Sequence, residues 1–233
     1  MIVERVEHPQ WLSNAYLVAD APGGTGVLID ANGLEGQLER IADEQQIEIT
    51  HVLRTHSHPD HVVGIEELAR RRRVPLVGWP ELGDGDTVTS GAVEIRALYT
   101  PGHCADHLAF LVDGSQCFTA DVLFNGTVGG TSGPEGNLDE LKHSILEVLL
   151  ELVPETAVHP GHTLPTTIAA ERQANPFIRA WLDDEWPEPA DCRVSGAPAT
   201  LLLWAPDYDG GHKALVRYPD GRETIVGGSR VER

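Results

Sequence analysis

Hydrophobic positions in the first 32 residues fall in short β-rich runs: Val3 and Val6, Ala15 to Val18, Val27 to Ile29. With Ala21-Pro22-Gly23-Gly24 as a turn, they predict a β-meander over 1–32. The period then changes. Leu34, Leu38 and Ile41 lie at helical spacing and predict an amphipathic helix over 34–46. Ile49, Val52 and Leu53 return to a strand over 48–55, and Val63, Ile65, Leu68 and Ala69 predict a helix over 62–73. A short strand at 75–79, two strands within 87–99 and a hairpin of 108–112 with 116–119 follow. A Gly-rich loop at 124–136 precedes one long helix at 138–153, striped by Leu138, Leu141, Ile145, Val148, Leu149 and Leu152. A strand at 156–158 and a helix at 166–175 come next. Three further strands, at 200–204, 214–218 and 224–226, are separated by turns at 207–211 and 219–221.

This alternation predicts an α/β protein of αββα architecture, two sheets between helices. Residues 1–180 form the main domain. The acidic, proline-bearing stretch 181–198 reads as a linker, and 199–233 as a small β appendage of about 35 residues. Three strands alone are marginal in water, so the appendage is expected to pack on the main domain or on a partner subunit.

Polar residues of one kind concentrate where the strand at 48–55 meets the next helix. Thr55-His56-Ser57-His58-Pro59-Asp60-His61 holds three histidines and an aspartate within six residues. Imidazole and carboxylate are natural ligands of zinc and its first-row neighbours. On such a turn successive side chains diverge, so two adjacent ions can each take part of the set. Three more candidates each follow a short apolar run: His103 in Thr100-Pro101-Gly102-His103, Asp121 in Phe118-Thr119-Ala120-Asp121, and His162 in His159-Pro160-Gly161-His162. The alternative, scattered surface histidines, does not account for the combined spacings. His107 and His159 lie close to candidate ligands; His8, His51, His143 and His212 read as ordinary polar surface positions.

In the order of these four motifs, over about residues 1–178, the chain resembles the metallo-β-lactamase fold hydrolases. The resemblance implies that His56, His58 and His103 hold one metal ion, that Asp60, His61 and His162 hold a second, and that Asp121 bridges them. It implies two divalent ions, zinc first, with iron or manganese open because His and Asp sites accept all three. A hydroxide shared by the ions would be the nucleophile, with Asp60 as the catalytic residue that orients it. Asp30 reads either as a strand-end cap or, on the resemblance, as an anchor behind a metal-binding histidine. Within the fold, the nearest likeness is to glyoxalase II-like hydrolases of hydroxyacyl-glutathione thioesters. It rests on Asp121-Val122-Leu123-Phe124, on Pro160-Gly161-His162 with Pro165-Thr166-Thr167, and on Glu171-Arg172-Gln173-Ala174-Asn175-Pro176-Phe177. Two departures stand out. Val128-Gly129-Gly130-Thr131 lacks the basic residue usual there, and the tail reads as β rather than as a helical domain. The expected function is a binuclear thioesterase acting on a small molecule. The alternatives are a mononuclear iron persulfide dioxygenase using His56, His103 and Asp121, or a lactonase of the same fold.

Composition narrows the partners. Lysine plus arginine number 17 against 36 aspartates and glutamates, a net charge of −19. Such a surface repels phosphate backbones and argues against nucleic acid. The basic run Arg70-Arg71-Arg72-Arg73 then reads as a solvated helix end, favourable with the helix dipole. Cys104, Cys117 and Cys192 are too few and odd in number for a disulfide framework. Cys104 and Cys117 read as small buried residues. The N-terminus has no apolar core of a leader, and no apolar run approaches the ~20 residues that span a bilayer. A cytoplasmic protein without membrane association is expected; the sequence does not fix its oligomeric state.

Overall fold

The computed structural model describes residues 1–184 and 186–233. Sheets and helices alternate as the αββα class requires. The chain divides into two compact units. The first comprises Met1–Tyr99, Asp106–Ala120 and Gly161–Thr163; the second comprises Thr100–Ala105, Asp121–Pro160 and Leu164–Arg233.

The first unit opens with β1 (Ile2–Glu7), β2 (Asn14–Ala19), β3 (Thr25–Ile29) and the short β4 (Ala31–Asn32). Helix α1 (Gly36–Glu44) leads to β5 (Glu48–Leu53), and α2 (Pro59–Val62), α3 (Ile65–Arg72) and β6 (Leu76–Val77) follow. These strands form one sheet in the order β1-β2-β3-β5-β6, with β3, β5 and β6 parallel. Strands β7 (Thr87–Ser90), β8 (Val93–Tyr99), β9 (Leu108–Val112) and β10 (Gln116–Ala120) pair antiparallel in a second sheet.

Strand β2 is buried along its whole length because both of its faces meet apolar layers. Ala15, Leu17 and Ala19 share a core with Leu38 and Ala42 of α1 and Leu68 of α3. The alternate residues Tyr16 and Val18 share another with Ile95, Phe110 and Phe118 of the second sheet, as the period of two in a strand dictates. Fully buried side chains such as Leu17, Leu28 and Leu38 contribute roughly 1.5–3 kcal/mol each to holding helix, sheet and sheet together.

The helix expected over 62–73 is interrupted. Val62 and Val63 bridge to Ala31 and Asn32 in strand fashion, and Gly64 turns left-handed at φ 74° before α3 begins. The arginine run at the end of α3 is not simply solvated. Arg71 and Arg72 reach Glu39 of α1 at 2.6 and 2.7 Å, and Arg72 also reaches Asp43 at 2.7 Å. Burial would raise the Glu39 pKa, but the two guanidinium groups outweigh it and hold the carboxyl below its ordinary range.

In the second unit the expected long helix is α4 (Leu138–His143) followed by a π-helical turn, Ser144–Leu149. Then come β11 (Ala157–Pro160), β12 (Thr166–Thr167), α5 (Ile168–Ala174) and α6 (Pro176–Asp183). Asn175 caps α6, accepting from the backbone N–H of Phe177 at 3.1 Å, with Pro176 in the first helical position. The stretch read as a linker contains the end of α6 and all of β13 (Ala190–Val194); its Glu185 lies outside the described residues. With β14 (Ala197–Pro206), β15 (His212–Arg217), β16 (Glu223–Gly227) and β17 (Val231–Glu232), the tail is a five-stranded sheet rather than a three-stranded meander. Its core is Val194, Leu201, Ala214, Val216 and Val226.

Candidate metal centre

Asp30 follows β3 and Thr55 follows β5, and these strands run parallel with Ile29 beside Leu53. The register therefore sets Asp30 next to Thr55. The Asp30 carboxylate accepts from the Thr55 N–H at 2.8 Å, from the Thr55 hydroxyl at 2.7 Å and from His61 Nδ1 at 3.0 Å. Asp30, Thr55, His56 and His61 are all buried. Asp30 holds a left-handed φ of 60°, a conformation that Asp tolerates better than most residues. Of the two readings of Asp30, the anchor behind a histidine is the one its bonds describe.

These bonds settle the ring tautomers. The Thr55 hydroxyl gives its proton to Asp30, so its contact with His56 Nδ1 at 3.0 Å requires the ring N–H to donate. A carboxylate only accepts, so His61 also donates through Nδ1. In the neutral form of both rings Nε2 then carries the lone pair. The His56 centroid lies 4.6 Å from that of His61 and 4.8 Å from that of His58. Buried His107 packs 5.2 Å from His56.

Asp60, His61 and His162 come together in the same unit, with potential ligand atoms within 4.8 Å of one another. Asp60 Oδ2 is 3.7 Å from His61 Nε2 and 3.6 Å from His162 Nε2. The start of β2 braces both loops: the Ser13 hydroxyl donates to the Asp60 carbonyl at 2.9 Å, and the Asn14 N–H to the Gly161 carbonyl at 2.7 Å. The Asn14 amide and Arg5 donate to the carbonyl of Thr163, at 2.9 and 3.0 Å, just past His162, where φ is 74°.

In the second unit His103 Nε2 lies 3.5 Å from Asp121 Oδ2. His103 Nδ1 donates to the Gly130 carbonyl at 2.8 Å, which again leaves the lone pair on Nε2. The Gly-rich loop can approach this pair because of Gly129, where a Cβ would run into the backbone carbonyl of Asp121. Glu171 and Asn175 hold the loop. Glu171 accepts from Gly126 N–H at 2.9 Å, and the Asn175 amide donates to Thr127 O at 3.0 Å and to Glu171 at 2.8 Å. Neither the Thr55 hydroxyl nor the Gly130 carbonyl was singled out from sequence. Thr55 left one signal, its place between a parallel strand and His56. Cys104 and Cys117 are buried as expected, and burial pushes the Cys117 thiol up to about 12.

Histidine–aspartate clusters able to hold metal ions, at the strand ends of an α/β protein, define the class: a metal-binding protein of enzyme-like fold. The sequence pattern of the metallo-beta-lactamase superfamily matches residues 8–78. The hydroxyacylglutathione hydrolase of Halorhodospira halophila is 30% identical over 210 residues, covering 70% of this chain and 80% of that protein. Among solved structures, ETHE1 from Myxococcus xanthus matches with a TM-score of 0.71 at 30% identity, over 81% of this chain and 93% of that one. TTHA1623, solved in a di-iron-bound form, matches at 0.66 and 31% identity, over 75% of this chain and 100% of that one. The chain belongs to the metallo-beta-lactamase superfamily. No described helix is long and apolar enough to cross a membrane.

Proposed function

We propose that the chain is a binuclear metal-dependent hydrolase of thioesters. In this reading His56, His58 and His103 would hold one ion, Asp60, His61 and His162 would hold the other, and Asp121 would serve both. The observation that carries this reading is the tautomer pattern: His56, His61 and His103 each donate through Nδ1 to an oxygen and so keep Nε2 for a metal. The donor set, imidazole and carboxylate without thiolate, fits zinc, iron or manganese, and zinc is proposed first. Two such ions supply a water acidified to near neutrality and polarise the scissile carbonyl.

The chain's own residues orient that chemistry. Asp60 has a side chain 28% exposed, whereas those of His61 and His162 are almost fully buried. Its carboxylate can therefore meet both solvent and the ligand rings, and it orients the attacking water. The similarity to a hydroxyacylglutathione hydrolase supports a thioester substrate. The net charge of −19 and the absence of a basic side chain in Val128-Gly129-Gly130-Thr131 weigh against an anionic thiol carrier, so the proposal stops at the thioester class and glutathione is left to the test. A second reading, a mononuclear iron persulfide dioxygenase using His56, His103 and Asp121, is supported by the likeness to ETHE1 from Myxococcus xanthus, at 30% identity over 93% of that chain.

The test is elemental analysis of protein purified without added metal, with S-lactoylglutathione hydrolysis assayed on the same sample. About two ions per chain with thioester cleavage supports the proposal. Two ions without cleavage keeps the hydrolase and discards glutathione. One iron, no cleavage and oxygen uptake with a persulfide replaces it with the second reading.

A further inference from the structure

The C-terminal sheet is joined to the loop behind His103 by contacts that the hydrolase reading does not use. Lys213 of β15 is buried, 5% exposed, and its ammonium donates to the Val128 carbonyl at 2.7 Å. Its charge is met by Asp207 at 3.0 Å and by the rings of Phe124 and Tyr208, whose centroids lie 5.0 and 5.1 Å away. Three residues on, Thr131 pairs with β16. Its N–H donates to the Ile225 carbonyl at 3.0 Å, its hydroxyl accepts from the Ile225 N–H at 2.9 Å, and Thr224 Oγ1 lies 3.0 Å from that hydroxyl. Between these anchors sit Gly129, pressed on the Asp121 carbonyl, and Gly130, whose carbonyl takes the His103 ring proton.

A buried ammonium is costly unless it is paired. Here Asp207 pairs it, and its hydrogen bond to a backbone carbonyl falls two residues from the oxygen that orients His103. It cannot meet a substrate from inside the protein. We propose that the C-terminal sheet is a working part of the metal centre and that Lys213 is a positioning residue, fixing the 128–131 segment so that His103 and Asp121 keep their geometry. The inference rests on the reading of His103 and Asp121 as metal ligands.

The experiment challenges the full-length metal-loaded protein with rising concentrations of EDTA and measures retained metal by elemental analysis, for wild type and Lys213→Met. The unfolding temperature of each is recorded in parallel. The ion held by His103 should leave the variant at roughly 10–100-fold lower chelator, the usual cost of losing a partner behind a metal ligand, while the other, which shares only Asp121, should shift far less. Arg193→Ala, exposed on β13 of the same sheet, should retain both. Loss of both ions in parallel, as a merely structural role gives, or of neither, overturns the inference. Should Lys213→Met not fold, Asp207→Asn and Thr131→Val are judged by the same criterion. A wild type holding one ion sinks the binuclear reading, while the inference is then judged on that ion's release.

Discussion

The two units hold their candidate ligands by different means. In the first, a single carboxylate, Asp30, bonds to Thr55 and His61 from the next parallel strand and its loop, and through Thr55 it sets His56. In the second, His103 is oriented by a loop carbonyl, and that loop is gripped by Glu171 and Asn175, by Lys213 and by β16. One arrangement is made of few, short and buried bonds set by strand register. The other is distributed over bonds between residues up to 94 positions apart. The first should fail as a whole when one residue is removed; the second should fail in parts.

The largest effect is expected from Asp30→Ala. It strands three buried donors, each costing about 1–3 kcal/mol unmet, so several kcal/mol should be lost in urea unfolding together with the metal. Asp30→Asn keeps a residue suited to φ 60° and should lose less; equal losses would show that the carboxylate is not the organiser. Next is Gly129→Ala. Its methyl group meets the Asp121 carbonyl, and forced overpacking of this kind costs about 1–3 kcal/mol. The expected readout is a folded protein with less metal, and metal content like wild type would break the account of the loop. Asp60→Asn should remove an ion with little change in unfolding temperature, because its side chain is partly open to solvent; a large drop in stability would make Asp60 structural.

The smallest effect concerns acid stability. Burial pushes the His159 pKa down to about 4 from 6.5. Between those values the unfolded chain binds the proton and the folded one does not, so stability falls as pH drops from about 6.5 to about 4. His159→Gln should flatten that limb of the stability profile, and an unchanged slope would assign the loss to other groups.

Much of the first unit was legible because its signals are local. The apolar runs of β2, β3 and β5 and the loop Thr55 to His61 all lie in short stretches of sequence. Asp30 was visible as a polar residue closing an apolar strand, with its two readings unresolved until the register set it beside Thr55. The broken helix was not legible: Val63 and Gly64 interrupt it because Ala31 and Asn32 lie alongside, and a pairing partner some 30 residues away leaves no periodic trace. The π-helical turn at Ser144–Leu149 was hidden for the opposite reason, since one widened turn leaves the apolar stripe nearly in phase. In the tail, β13 was masked by acidic and proline residues around it. The reach of Lys213 to Val128 depends on the tertiary fold alone.

The Thr55 hydroxyl has one further consequence, for the chemistry of loading. Because it gives its hydrogen to Asp30, His56 must keep its own on Nδ1, and His61 is bound to the same choice. In the neutral rings Nε2 is then the nitrogen that faces an arriving cation. The folded chain has thus made, ring by ring, the choice between two nitrogens that an unfolded chain would leave undecided until the moment of capture.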